Sequence, residues 1–138
     1  MTRAPRELTD ADYRRLLKLR DGLRAFLHWS EEQARSAGIT PAQHQLLLAV
    51  RGHQDGPPTL GDIAAHLLLR HHSAVGLVDR AEAAGLVTRR RVSDDHRVVQ
   101  VVLTPRGEEV LADLTAEHKV ELQRIGLVYR DLGNDLPA

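Results

Sequence analysis

Residues 59–104 decide the fold of this chain, and they read TLGDIAAHLLLRHHSAVGLVDRAEAAGLVTRRRVSDDHRVVQVVLT. Apolar side chains first recur at the i, i+3, i+4, i+7 spacing of one buried helical stripe, at Leu60, Ile63, Ala64 and Leu67. Thr59 precedes this stripe and can cap the helix. After a turn at residues 68–70 a second stripe follows, at Ala74, Leu77, Val78 and Ala81. The pattern predicts two short helices joined by a tight turn.

A β-hairpin is predicted after the second helix. Gly85 suits the end of a helix, and Leu86-Val87-Thr88 opens a strand of β-branched character. Residues 93–96 have turn chemistry, and residues 98–103 are predicted as the returning strand. Two helices joined by a turn and followed by a hairpin indicate a helix-turn-helix that reads a DNA major groove, with the hairpin as a wing. The alternative is an ordinary α+β core whose arginines are only solvated.

Four motifs stand in order along the chain. They are Ile39-Thr40-Pro41-Ala42-Gln43, Leu77-Val78-Asp79-Arg80 with Glu82 and Gly85-Leu86-Val87, Asp95-His96-Arg97, and Leu103-Thr104-Pro105 with Gly107. They resemble the LTPAQ, LVDRLE..GLV, D-x-R and LTPxG motifs of the MarR (multiple antibiotic resistance regulator) family, and four ordered matches are far more specific than one. The resemblance implies a single domain over residues 1–138, mostly α with a small β-hairpin. A winged helix-turn-helix core at 40–103 would lie between dimerisation helices at 9–38 and 104–132.

Long amphipathic helices are predicted on both sides of the core. Thr9 with Asp12 resembles a capping box, and Thr40 with Gln43 forms a second one with proline at the first helical position. The first helix should end near Gly38. Its apolar face carries Leu16, Leu19, Leu23, Phe26 and Leu27, with Ser30 in register. The face of the last helix carries Val110, Leu111, Leu114, His118, Leu122, Ile125 and Val128 or Tyr129.

We expect these two helices to pack partly against a second copy of the chain, because the first one is long for a domain of this size. The alternative is a plain intramolecular core helix. Relatives in the family usually carry a further terminal helix, whereas residues 133–138 are not expected to form one. The dimer is therefore expected to be smaller or built differently.

The candidate DNA-binding residues lie on the second core helix and on the wing. They are Arg70, His71, His72, Ser73, Gly76 and Arg80 on the helix, and Arg89, Arg91, Asp95, His96 and Arg97 on the wing. The first turn of such a helix touches base edges, where histidine and serine can donate hydrogen bonds. The family resemblance implies that Arg97 enters the minor groove and that Asp95 holds the wing tip in shape. Val75 and Gly76 depart from the residues that many relatives carry there, so readout shifts to the histidines and Arg80 or specificity is modest.

Charge is balanced overall and basic only locally. The chain has 19 Lys or Arg and 19 Asp or Glu, and arginines concentrate at residues 89–91 and 97. A basic spot on a neutral protein suits a specific binder that also releases DNA. The absence of cysteine excludes disulfides, thiol redox sensing and cysteine-ligated zinc. Since no apolar run approaches about 20 residues and no signal-peptide pattern opens the chain, we expect a cytoplasmic protein with no membrane partner.

Small ligands are less directly indicated by the residues. In the family, a crevice between the dimer arms and the core takes small aromatic or anionic effectors; its candidates here are Arg24, His28, Trp29 and His44, with ordinary packing as the alternative. The histidines include His66, His71 and His72 close together, but no His-x3-His pair has a carboxylate at ligand spacing, so no metal or other cofactor is expected. Nucleophile-elbow, P-loop, dinucleotide-binding and zinc-protease motifs are absent, so neither an enzyme nor a catalytic residue is expected.

These observations predict a homodimeric, sequence-specific transcriptional regulator that binds a pseudo-palindromic operator in double-stranded DNA. We expect a repressor that a small-molecule effector releases. The alternative is a winged-helix interaction module, or a non-specific DNA binder without operator specificity.

Overall fold

The computed structural model describes residues 6–92 and 95–134, and for residues 95–97 and 127–134 it describes only the backbone. Within these ranges the elements are α1 (Asp10–Ser36), α2 (Pro41–Gly52), α3 (Leu60–Leu67), α4 (His71–Ala83), β1 (Val87–Val92), β2 (Asp95–Leu103) and α5 (Pro105–Asn134). A mostly helical chain with one small antiparallel hairpin confirms the predicted fold class. None of these described helices has the length and apolar composition that crossing a bilayer requires.

Three helices begin at a threonine that caps the helix reciprocally. The pairs are Thr9–Asp12 at α1, Thr40–Gln43 at α2 and Thr59–Asp62 at α3. At α3 the Thr59 backbone N–H donates to the Asp62 carboxylate over 2.9 Å, and the Asp62 N–H donates to the Thr59 hydroxyl over 3.1 Å. The backbone hydrogen bond from Thr59 is the main cause that lowers the pKa of Asp62, because it stabilises the charged carboxylate. The predicted starts of these helices are confirmed.

The hydrophobic core is formed by side chains of α2, α3, α4, both strands and the first turns of α5, with Ala34 at the end of α1. Its largest fully buried side chains include Leu46, Leu47, Ile63, Val78, Leu86, Val87, Val101 and Leu114. The predicted stripe of α4 is buried as a whole, at Ala74, Leu77, Val78 and Ala81. In α3 only Ile63 is buried, and Leu60, Ala64 and Leu67 pack against the core while remaining partly exposed. The faces of α3 and α4 that the sequence predicted to be apolar therefore pack on the core.

The apolar faces of the long helices α1 and α5 are largely uncovered in the single chain. Ala34 is the buried residue of α1, whereas Leu16, Leu23 and Leu27 are 59%, 51% and 54% exposed. In α5 the side chain of Leu122 is 52% exposed. Burying an exposed leucine stabilises a protein by about 1.5–3 kcal/mol. Association with another apolar surface would therefore be favoured by covering these faces.

The hairpin differs in one respect from the sequence prediction. Its strands pair from Val87 opposite Leu103 to Val92 opposite Asp95, with an irregularity between Arg91 and Val92. The strand β2 therefore begins at Asp95 rather than at Val98, and the predicted turn at residues 93–96 is too long. The register shift brings Asp95 and His96 into the strand, which turn-forming residue types alone do not reveal.

The junction between α4, the hairpin and α5 is tightly packed. The Thr104 hydroxyl donates to the Gly85 carbonyl over 2.6 Å and accepts from the Gly107 N–H over 3.0 Å. A Cβ added at Gly107 would lie only 2.1 Å from the Leu86 carbonyl oxygen. Gly85 has a φ of +76°, in the left-handed region that favours glycine. Glycine is thus required at two points where the wing leaves α4 and where α5 begins.

Candidate nucleic-acid interface

The helix α4 presents its first turn to solvent. Arg70 is its N-cap residue and provides no side-chain capping bond, and Arg70, His71 and His72 are exposed while Ser73 is half-buried. The buried stripe on the opposite side of α4 fixes this orientation. The polar residues that the sequence assigned to base contacts therefore lie together on one accessible end of a helix, where N–H groups also point outward.

Gly76 makes room for Arg80 on the outer face of α4. A Cβ added at Gly76 would lie 3.3 Å from a terminal guanidinium nitrogen of Arg80. Arg80 is one helical turn further on, so its side chain folds back over the glycine. Gly76 itself cannot contact a base, but its missing side chain leaves room for the Arg80 guanidinium on this face.

Arg89 connects the wing to α4. Its guanidinium donates to Asp79 over 2.5 Å and to Glu82 over 2.8 Å, and its backbone N–H donates to Glu82 over 3.1 Å. Partial burial by itself lowers the pKa of Arg89, but the hydrogen bonds to Asp79 and Glu82 outweigh it and the pKa is raised. The side chain predicted to face phosphate thus has two carboxylate partners at the base of the wing, while Arg90 and Arg91 are exposed.

The wing tip is described only in its backbone. Asp95, His96 and Arg97 belong to β2, and their side chains lie outside the described part of the chain. Their roles in DNA binding remain predictions. At its other end the wing is attached to the core, because the Val101 N–H donates to the Pro58 carbonyl over 2.9 Å. The hairpin is therefore anchored beside both helices of the helix-turn-helix.

The four candidate effector residues separate into two groups. Arg24 and His28 are exposed, at 70% and 73% of their side chains, and pair with Asp21 and Glu32 on their own helix. Trp29 and His44 lie together with Phe26 in an aromatic cluster. The structure therefore brings two of the four predicted residues together and leaves the other two at the surface.

His118 of α5 completes this cluster. Its ring centroid lies 4.8 Å from that of Trp29, 4.9 Å from that of His44 and 6.0 Å from that of Phe26. The sequence predicts His118 on the packing face of the last helix but does not indicate that it lies at the candidate pocket. The signal that could have found it is a histidine standing in an otherwise apolar stripe, four residues after Leu114.

Both ring nitrogens of His118 are hydrogen-bonded. His118 Nδ1 lies 2.7 Å from the Leu114 carbonyl, which can only accept, so Nδ1 carries the proton. Nε2 of His118 then accepts from the Ser30 hydroxyl at 2.6 Å. Burial lowers the pKa of His44, and the neighbouring His118 lowers it further. The cluster thus lies at the junction of α1, α2 and α5, and burial there disfavours the charged form of His44.

Comparison with known proteins adds sequence relatives to this geometry. Residues 37–98 match the model of the MarR family. The chain is 27% identical over 93 residues to the HTH-type transcriptional repressor MdtR of Bacillus subtilis, covering 67% of this chain and 59% of that protein. It is 35% identical over 83 residues to the HTH-type transcriptional regulator FarR of Neisseria gonorrhoeae, covering 59% and 54%. The matches thus span little more than half of the length of these relatives, both of which are transcriptional regulators.

Solved structures share the fold. AbsC, a MarR family transcriptional regulator from Streptomyces coelicolor, superposes with a TM-score of 0.72 at 22% identity over 87% of this chain and 81% of its own. NadR in complex with 4-hydroxyphenylacetate gives 0.70 at 23% identity over 93% and 86%. The F27L mutant of MepR from S. aureus, bound to an oligodeoxyribonucleotide, gives 0.63 at 20% identity over 95% and 86%.

Proposed function

We propose that this chain, whose residues 37–98 match the model of the MarR family, is a dimeric, sequence-specific DNA-binding regulator that represses transcription until a small molecule releases it. The observation that carries this proposal is the exposed first turn of α4 beside a wing that Arg89 ties to the same helix. A helix and a hairpin held at a set angle can follow a major groove and the adjacent minor groove together. Since DNA is the partner, a cytoplasmic location belongs to the same proposal.

Base contacts are assigned to the start of α4. His71, His72 and Ser73 stand where a recognition helix meets base edges, and each good contact contributes about 1–3 kcal/mol of discrimination. Arg80 lies further along the outer face and suits a guanine or a phosphate. On the wing, Arg97 is assigned to the minor groove and Arg91 to phosphate, whereas Arg89 positions the wing through Asp79 and Glu82.

Dimerisation is supported by the uncovered faces of α1 and α5. Their exposed leucines form a surface that water solvates poorly, and a second copy of the chain carries the same surface. Two copies would present two α4 helices to successive major grooves about 34 Å apart. A pseudo-palindromic operator follows from that symmetry.

Effector release is assigned to the aromatic cluster of Phe26, Trp29, His44 and His118. It joins both arms, α1 and α5, to α2 of the core, so a ligand inserted there would change the angle between them. Flat aromatic ligands can stack on such rings. NadR, of the same fold, was solved in complex with 4-hydroxyphenylacetate. An effector releases DNA only if it binds the arrangement of the two α4 helices that fits DNA more weakly than it binds the arrangement that does not.

The test is selection of random duplexes by the purified protein, followed by titration of the selected duplex at two salt concentrations. We expect a pseudo-palindrome whose half-sites are one helical turn apart, with affinity that weakens as salt rises. Arg97→Ala should weaken binding at least tenfold, and Arg14→Ala, which removes an equal charge from the exposed face of α1 opposite its leucines, should not. Binding that is salt-sensitive but indifferent to sequence would overturn operator recognition and favour a non-specific binder.

A further inference from the structure

Two histidines from different helices meet beside the helix-turn-helix. His53 is the C-cap residue of α2, and His66 lies in the last turn of α3. Nδ1 of His53 and Nε2 of His66 are 2.8 Å apart, and the ring planes stand at 84° to each other. Thirteen positions separate the two residues in the chain, so the loop between α2 and α3 brings them together.

Asp62 lies behind the first of these rings. Nε2 of His53 lies 3.5 Å from Oδ2 of Asp62, and the same oxygen accepts from the Thr59 backbone N–H. The capping box of α3 thereby holds the carboxylate in place. With its Nε2 directed at a carboxylate, His53 turns Nδ1 toward His66, which is the arrangement that metal-binding histidines adopt when a carboxylate stands behind the ring.

We propose that His53 and His66 bind one divalent transition-metal ion of the class of Zn²⁺, Ni²⁺ and Cu²⁺, with Nδ1 and Nε2 as ligands and Asp62 behind His53. Imidazole nitrogen suits these ions. Bonds of about 2.0–2.1 Å in a tetrahedral arrangement separate two ligand nitrogens by about 3.3 Å, so the nitrogens have to move apart by about half an ångström and both rings have to tilt toward a common point. Among the described side chains no third histidine or carboxylate completes a cage, so water fills the remaining positions.

The site differs from the other places where histidines occur. His71 and His72 are adjacent on α4, and consecutive residues of a helix point in different directions. His44 and His118 face each other inside the aromatic cluster, where Nδ1 and Nε2 of His118 are already hydrogen-bonded. Only the His53 and His66 pair, among the described residues, combines facing ring nitrogens with a supporting carboxylate. An ion here would fix the end of α2 to α3, the first helix of the helix-turn-helix.

The experiment is isothermal titration of the full chain with NiCl₂ and with ZnCl₂ in a buffer that does not bind metal. We expect one equivalent to bind, with affinity falling at least tenfold in His53→Gln and in His66→Gln. Asp62→Asn, which keeps an oxygen acceptor for the α3 cap, should weaken binding by roughly tenfold. His28→Gln and His72→Gln remove exposed histidines elsewhere and should leave the affinity for the metal ion unchanged.

Two further measurements test the metal site. In the wild-type protein, NMR should show Zn²⁺ shifting the imidazole Cε1–H signals of His53 and His66 and no others, which needs no variant that has to fold. Affinity should also fall as pH drops, because the ligating nitrogens must be unprotonated. Absence of binding, or binding that survives both His53→Gln and His66→Gln, would show a hydrogen-bonded pair only. The titration uses no DNA, so its outcome is independent of the proposed function.

Discussion

The guanidinium of Arg89 on β1 lies 2.5 Å from the carboxylate of Asp79 on α4, and this pair joins the wing to α4. Glu82 receives the other terminal nitrogen at 2.8 Å. Arg89 is 26% exposed, whereas Asp79 and Glu82 are 60% and 41% exposed. Partly exposed pairs contribute about 0.2–1 kcal/mol, so the significance of this one is geometric rather than energetic.

Replacing Asp79 distinguishes a positioning role of Arg89 from a phosphate contact. If Arg89 orients the wing, Asp79→Asn and Arg89→Ala should both weaken DNA binding several-fold and leave the salt dependence nearly unchanged. If Arg89 contacts phosphate, Arg89→Ala should reduce the salt slope by about one, while Asp79→Asn should maintain or strengthen binding. Fluorescence anisotropy on the selected duplex at several salt concentrations measures both quantities.

Gly76→Ala should stabilise the protein but alter its DNA readout. Alanine is favoured over glycine in a helix by about 0.5–1 kcal/mol, and the new methyl displaces only the flexible end of Arg80. The control is Gly61→Ala on α3, whose Cβ would meet the Thr59 hydroxyl at an ordinary 3.7 Å. Urea unfolding should show a gain in both variants, and duplex selection should change in Gly76→Ala alone. If Gly76→Ala selected the same operator sequence as the wild type, the outer face of α4 at Gly76 would not contribute to DNA readout.

Gly107→Ala should destabilise the protein by about 1–3 kcal/mol, the usual cost of overpacking. The methyl group would lie 2.1 Å from the backbone oxygen of Leu86, which cannot move without shifting the start of β1. Gly126→Ala in the same helix has nothing within 4 Å of the added Cβ and should be neutral or stabilising. Thermal and urea unfolding compare the two directly, and equal stabilities would mean that the α4–α5 junction can relax.

Stability should fall as pH drops below about 6.5, the usual pKa of histidine. Burial lowers the pKa of His44 in the folded protein, so the unfolded chain binds a proton that the folded chain resists. The stabilisation is complete above the unfolded pKa and is lost as pH falls through the lower folded one. Urea unfolding at pH 7.5, 6.5 and 5.5 should show this slope in the wild type and a flatter one in His44→Phe. A slope of equal steepness in the variant would assign it to other groups.

Leu23→Asp should dissociate the proposed dimer. Leu23 is 51% exposed on α1, and a buried, unpaired carboxylate at a subunit interface is strongly unfavourable. Leu48 on α2 is 52% exposed and provides the matched control in Leu48→Asp. Sedimentation equilibrium should give a dissociation constant at least tenfold higher for Leu23→Asp only. If both variants behaved like the wild type, a different surface would have to form the dimer.

The sequence by itself determined the positions of the helices and the buried face of α4. Capping boxes such as Thr59 with Asp62 and stripes such as Ala74, Leu77 and Ala81 depend on residues within four positions, so local physics decides them. The motif resemblance added the prediction that α4 reads DNA and that the hairpin is its wing. It could not show that β2 begins at Asp95, because a register shift depends on how two strands meet.

Only the tertiary structure decided which side chains from distant parts of the chain become partners. Ser30 and His118 are 88 positions apart yet share a hydrogen bond, and Arg89 turns to Asp79 and Glu82 instead of to solvent. Such pairs depend on the angles at which helices and strands pack, and those angles result from the whole core at once. Residue types along the chain carry no signal for them, because a surface arginine and a buried one look alike until the neighbouring helix is placed.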